Sequence, residues 1–262
     1  MLSIFQWFGY QELSTTESLR LIKQAGFEAV LLWWDDKFDP EYRKQPELAR
    51  RAGLWVENIH LPFEQTNQVW EDTTAGQAVF EHYLGCVEDC ATFGVSTMVM
   101  HPSFGFEDLP PLSEIGLERF RRIIDKAERS NIKVAMENML RPQAIERAAW
   151  LFERIDSPQF GLCYDCGHDH ARFSRTAETD LLGQFGQRLM ALHLHDNNGT
   201  EDEHLLPFDG TINWPATMRK IAQTGYQGST ALELGGDTQG LAPEEFLAWA
   251  YEQAKKLEEL RL

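Results

Sequence analysis

The stretch SEIGLERFRRIIDKAERSNIKVAMEN, residues 113–138, holds the unit from which the fold is read. Ser113-Glu114 has the form of a helix N-cap followed by an acid in the first turn. A helical pattern covers 113–130, and a short apolar run over 132–137 follows it. That run has the length of a buried strand, and it stops at an acid, Glu137.

The unit recurs in both directions. Strands are expected at 2–6, 27–33, 54–60, 95–101, 132–137, 159–165, 189–195 and 229–234. Helical patterns lie between them near 14–25, 41–52, 72–93, 113–130, 142–155, 178–187, 214–224 and 243–260. Ser14-Thr15-Thr16-Glu17 reads as another N-cap, and Asn213 precedes Trp214-Pro215, where proline suits the first turn. Ala25-Gly26, Ala52-Gly53, Phe93-Gly94 and Thr224-Gly225 place glycine where a left-handed helix stop precedes a strand. Strands that alternate with helices must pair in parallel through crossovers. An open doubly wound sheet alternates too, but no Gly-rich phosphate loop follows the first strand. With no linker to divide the 262 residues, the reading is a single (β/α)8 barrel domain over 1–262, at about 33 residues per unit.

Lys and Arg total 24 against 41 Asp and Glu, a formal net charge of −17. Such a field repels phosphate backbones and argues against a nucleic-acid partner, while it attracts cations. No apolar run approaches the length of a membrane span, and Met1-Leu2-Ser3-Ile4-Phe5 lacks the form of a signal peptide. Cys86, Cys90, Cys163 and Cys166 include one CxxC and no second. They read as ordinary reduced thiols of a cytoplasmic protein, with a redox role as the weaker alternative.

In a barrel of this kind the chemistry sits at the C-terminal strand ends. Strand three ends at His60, four at His101, five at Glu137, six at Asp165, seven at His193 and His195, and eight at Glu233. Each alone has a dull explanation, as a rim histidine or a capping acid. Six strand ends converging on one mouth, with few arginines near them, demand a compensating charge, and a divalent metal supplies it. Glu137, Asp165, His193 and Glu233 form a small oxygen-rich set suited to Mn2+, Mg2+ or Co2+. Adding His60, His101, His168 and His204 makes a larger, nitrogen-rich set that favours Zn2+. Strands one and two end in aromatics, Trp7-Phe8 and Trp33-Trp34. With Phe63 and Trp70 these are candidates to stack on a sugar.

At these residues the chain resembles the xylose isomerase-like TIM barrel superfamily of sugar isomerases and epimerases, which also includes endonuclease IV. The matching pieces are Ile59-His60-Leu61-Pro62, Met100-His101-Pro102-Ser103, Met136-Glu137-Asn138 and Cys163-Tyr164-Asp165-Cys166-Gly167-His168. They continue with His193-Leu194-His195-Asp196, Asp202-Glu203-His204, Asp209-Gly210-Thr211-Ile212 and Leu232-Glu233-Leu234. The resemblance implies a metal held by Glu137, Asp165, His193 and Glu233. Glu137 and Glu233 would also be the catalytic pair, exchanging the proton beside a carbonyl through a metal-stabilised enediolate. His168 would meet a substrate oxygen, and His195 would stand behind His193. His60, His101, His168, Asp202 and His204 would bind substrate hydroxyls or additional metal.

The implied activity is a metal-dependent sugar isomerase or epimerase acting on a small polyhydroxylated carbonyl compound. A dehydratase of a sugar-like substrate, or a zinc-cluster phosphodiesterase of endonuclease IV type, is the alternative. The acidic loop over 61–74 speaks against DNA, and a non-catalytic sugar-binding barrel is disfavoured because both glutamates are present. Barrels of this kind often pair, so a homo-oligomer is within expectation. Two departures stand out: Phe208 occupies a position where relatives often carry glycine, which would narrow the pocket, and no arginine follows the strand-seven motif.

Overall fold

The computed structural model describes residues 1–105, 109–171, 180–236 and 240–262. Its strands are β1 (Leu2–Phe5), β2 (Ala29–Trp33), β3 (Trp55–His60), β4 (Thr97–Met100), β5 (Lys133–Glu137), β6 (Phe160–Asp165), β7 (Leu189–His193) and β8 (Thr230–Leu232). They pair in parallel in the order β7-β6-β5-β4-β3-β2-β1-β8. The two outer strands meet just beyond their ends. Leu194 N–H donates to the Ala231 carbonyl at 2.9 Å, and Glu233 N–H donates to the Leu194 carbonyl at 3.1 Å. The sheet is thereby closed into a (β/α)8 barrel.

The helices among the described residues are α1 (Thr15–Ala25), α2 (Gln45–Arg51), α3 (Thr74–Phe93), α4 (Glu114–Arg129), α5 (Pro142–Arg154), α6 (Cys166–His170), α7 (Leu181–Phe185), α8 (Trp214–Gln223) and α9 (Pro243–Arg261). In α4 the buried residues Leu117, Phe120, Ile123, Ile124 and Ala127 fall on one helical stripe, which packs toward the sheet. Ser113 caps this helix by accepting from Gly116 N–H at 3.1 Å, and Ser14 and Asn213 cap α1 and α8 in the same way. Gly26, Gly53, Gly94 and Gly225 all have positive φ, as their places at helix ends required.

The differences from the expected elements are local. The helical pattern over 41–52 opens as a 3-10 turn, Tyr42–Lys44, because Pro46 belongs in a first helical turn. Of the pattern over 178–187, residues 178–179 lie outside the described residues, and the rest forms α7 and a 3-10 turn, Gly186–Arg188. The short helix α6 was not expected. Asp165 initiates it at the end of β6 by accepting from His168 N–H at 2.6 Å.

Two layers of the barrel interior set up the site. Val99, Ala135, Cys163 and Ala191 form a separate buried cluster. Each lies two residues before His101, Glu137, Asp165 and His193, so the strand period places it on the same face, one layer deeper. Small side chains thus make a dry floor, and polar ones stand on top of it. All four cysteines are buried and unpaired, with burial raising the thiols of Cys86, Cys90 and Cys163, the last to about 12. Among the described residues no helix is long and apolar enough to cross a membrane.

Two loops close over the top at Gly9 and Gly236, both at positive φ. A Cβ on Gly9 would stand 2.2 Å from Gly236 Cα. Gly85, inside α3, has nothing within 4 Å of where its Cβ would be. Gly9→Ala is expected to destabilise by about 1–3 kcal/mol. Gly85→Ala should stabilise by about 0.5–1 kcal/mol. Chemical denaturation of the two variants checks this, and equal midpoints would contradict it.

Candidate metal centre

Glu137 ends β5 with its carboxylate 2 % exposed, and it is surrounded by imidazoles. His60 Nε2 lies 3.1 Å from Oε2, His101 Nε2 3.3 Å and His193 Nδ1 3.3 Å from the same oxygen. His168 Nδ1 is 3.2 Å from Oε1. Burial by itself would raise this carboxyl, but the charges of His193 and His101 and hydrogen bonds from His101 and His168 hold it well below the usual range. Among the described residues, the ion-pair partners of this buried carboxylate are all imidazoles.

Glu233 follows β8. Burial opposes its ionisation, and the adjacent His193 outweighs this, bringing the carboxyl to about 2. His193 Nδ1 and Glu233 Oε2 are 2.7 Å apart, yet neither atom makes a hydrogen bond of acceptable geometry. Donors oriented in this way fit a shared cation better than they fit each other. Ligand atoms of Glu137, Asp165, His193 and Glu233 all lie within 4.8 Å of one another, and so do those of His60, Glu137 and His193. The donor set fits a divalent metal in number, charge and chemistry.

A second group lies on the other side of Asp165. His195, Asp202 and His204 also bring ligand atoms within 4.8 Å. His195 Nε2 reaches Asp165 Oδ1 at 3.2 Å, and its ring stacks on His204 at 4.0 Å between centroids. His195, expected to stand behind His193, thus belongs to this second group. His168 joins the two groups: Nδ1 is 3.2 Å from Glu137 Oε1 and Nε2 is 3.2 Å from Asp202 Oδ2. Burial disfavours protonation of His168, but the charges of Asp165 and Asp202 win and raise it well above the ordinary histidine range. His193 is raised likewise against its burial, by Cys163, Glu233 and Glu137. For His204 burial is outweighed by its hydrogen bond to Asp202, which brings it to about 9.

Two asparagines and one aspartate hold these groups in place. Asn138 donates to the Asp165 carbonyl at 2.8 Å and accepts from Asp165 N–H at 2.8 Å, locking the ends of β5 and β6 together. Asn197 donates to the Gly167 carbonyl at 2.9 Å. Asp196, fully buried, accepts from the N–H groups of Asn197, Phe208 and Ile212 and from the Trp214 indole at 2.8 Å. It thereby folds the 196–214 loop that carries Asp202 and His204. None of these three was assigned a role from sequence, although all but Asn197 fall within the motifs quoted above.

The aromatic wall differs from expectation. Trp7, Trp33 and Phe63 line the cavity, but Phe8, Trp34 and Trp70 are core residues. Phe8 packs on Phe246, the Trp34 indole donates to Asp89, and the Trp70 indole donates to the Pro102 carbonyl. Adjacent strand residues point to opposite faces, so Trp33 and Trp34 could not both face the cavity. Phe5, Phe38 and Phe104, not foreseen, line it instead. Phe208 does not narrow it: it sits 41 % exposed at φ +76 against Trp214.

A family model described as the xylose isomerase-like TIM barrel matches residues 19–259. The chain belongs to this family. Inosose isomerase of Halalkalibacterium halodurans is 22 % identical to it, covering 86 % of each chain. Among solved structures, a D-tagatose 3-epimerase-like protein superposes with a TM-score of 0.77 at 22 % identity, covering 100 % of this chain and 98 % of the other. The IOLI protein, solved with a bound zinc atom, does so with a TM-score of 0.77 at 20 % identity and the same coverage.

Because the raised imidazoles hold protons that a cation must displace, metal affinity is expected to fall as pH drops. The loss should be about tenfold per pH unit for each proton displaced. Calorimetric Mn2+ titrations in two buffers of different ionisation enthalpy should reveal proton release. Buffer-independent heats and a flat pH profile would contradict the site.

Proposed function

We propose that this protein is a divalent-metal-dependent isomerase or epimerase of a small polyhydroxylated carbonyl compound. The observation that carries this is the pair Glu137 and Glu233, with side chains 2 % and 12 % exposed, both lining one cavity beside a common donor set. Glu137, Asp165, His193 and Glu233 would hold the metal. When bound, it would polarise the substrate carbonyl and offset the charge that develops on oxygen as the adjacent C–H proton leaves.

The chain's own residues supply the rest. One glutamate, as its carboxylate, takes the proton from the carbon beside the carbonyl and becomes the carboxylic acid. That acid, or the other glutamate once it has taken up a proton from solvent, returns a proton to the same or the neighbouring carbon. His60, His101, His168, Asp202 and His204, which line the cavity, would bind substrate hydroxyls or additional metal. The floor of small apolar side chains keeps bulk water from below the reacting carbon. Relatives named as an inosose isomerase and a D-tagatose 3-epimerase-like protein support this class of substrate. Dehydration would begin with the same proton abstraction and end with loss of a β-hydroxyl. The protein is expected to be cytoplasmic.

Glu137→Gln and Glu233→Gln should each lower turnover by at least about a thousandfold while the fold remains intact. Uptake of deuterium beside the carbonyl from heavy water, across a panel of ketoses and inososes, reads the effect. Near-normal exchange in either variant would overturn the assignment.

One observation favours a second reading, metal-dependent hydrolysis: the group His195, Asp202 and His204 offers a place for a further cation beside the first. Metal analysis of freshly purified protein separates the two readings. About one ion per chain is expected for proton transfer. Two or three zinc ions, with cleavage of a phosphodiester, would make hydrolysis the better account.

A further inference from the structure

The cavity above the metal centre measures about 610 Å3. At ~30 Å3 for each water in the liquid, that is room for roughly 20 waters, whereas a hexose has only about a dozen non-hydrogen atoms, bonded closer together. A bare sugar on Glu137 and Glu233 leaves much of this space unfilled. The part of the cavity lining that follows β1 to β4 is largely aromatic.

Phe5 and Trp33 stack at 4.7 Å, and Trp33 and Phe38 stack at 5.0 Å. Phe63 packs on Trp33 at 5.8 Å and on Phe104 at 4.8 Å. The arc begins at the metal centre, where Trp33 lies 4.5 Å from the His60 ring. It ends at the mouth, where Phe38 is 50 % and Phe104 37 % exposed. A sugar ring offers at most two C–H faces, each covered by one aromatic ring. This arc is several rings long, and large apolar side chains left exposed in a row mark a binding surface.

Among the described residues, the charges at the cavity favour an uncharged occupant over a phosphate. Among the described residues that line the cavity, Arg141 is the only Lys or Arg. Lys37, next to Phe38, is engaged by Glu64, and Asp35 and Asp36 precede it. A phosphate calls for several converging donors, and acids at the rim repel it.

We propose that the substrate carries an apolar, planar substituent of the aryl-aglycone kind, and that Trp33, Phe38, Phe63 and Phe104 form the subsite that receives it. The inference rests on the metal-dependent proton-transfer reading of the same cavity. It makes the substrate a carbonyl sugar derivative in place of a free sugar or a sugar phosphate.

Two measurements on the metal-loaded protein test it. Binding of phenyl β-glucoside is compared with binding of methyl β-glucoside by titration calorimetry; both are locked acetals, so neither offers a carbonyl to turn over. The phenyl compound is expected to bind about tenfold more tightly or better. Phe38→Ala and Phe104→Ala, both at the mouth, should cut that preference to below about threefold, with thermal melting confirming that each variant folds. Equal affinities, no binding of the phenyl compound, or a preference that survives both substitutions would overturn the subsite. Deuterium uptake by a free ketohexose and by a phenyl glycoside oxidised to a ketone separates this inference from the reading beneath it. Aryl preference without uptake from either would sink the proton-transfer reading and leave the subsite standing. Uptake from both at equal kcat/KM would do the reverse.

Discussion

Carboxylates buried, among the described residues, without a Lys or Arg partner are the constraint around which this barrel is organised. Asp165 and Glu137 are 0 % and 2 % exposed, and a charge removed from water to that degree must be matched locally. The fold meets the demand with imidazoles, four of them around Glu137, and with strand-end geometry that points every donor inward. Protons on those imidazoles and a divalent cation are alternative solutions to the same electrostatic problem. Proton binding and metal binding are therefore linked throughout the site.

That solution depends on rigidity outside the donor set. Asp165 is at once a member of the first group, the initiator of α6 and a partner of His195, so any shift in β6 reaches both groups. Asn138 ties β5 to β6 through reciprocal 2.8 Å hydrogen bonds, and Asp196 folds the long loop after β7 through four. Beneath them, Val99, Ala135, Cys163 and Ala191 pack as small residues that leave the larger donors no competing position. Stability and site geometry are carried by the same backbone links.

The cavity is divided by chemistry. Strands β5 to β8 supply acids and imidazoles, and β1 to β4 supply rings, with His60 and His101 at the boundary in contact with both. Such a division orients a ligand that has one polar and one apolar end. The strongly acidic surface adds a long-range bias toward cations and against polyanions.

Sequence alone determined the alternation of eight strands with helices, the helix caps at Ser14, Ser113 and Asn213, and the placement of His60, His101, Glu137, Asp165 and His193 at strand ends. These are properties of local period and local capping chemistry, which short stretches encode by themselves. Tertiary structure decided what depends on distance between strands. It assigned His195 to the group with Asp202 and His204, because the loop held by Asp196 folds back onto it through the Asp196–Leu205 bridge. It sent Phe8, Trp34 and Trp70 into the core and brought Phe5, Phe38 and Phe104 to the cavity. Two of those rings stand on loops that have no periodicity to read, and their positions are set only by the strands and rings against which they pack.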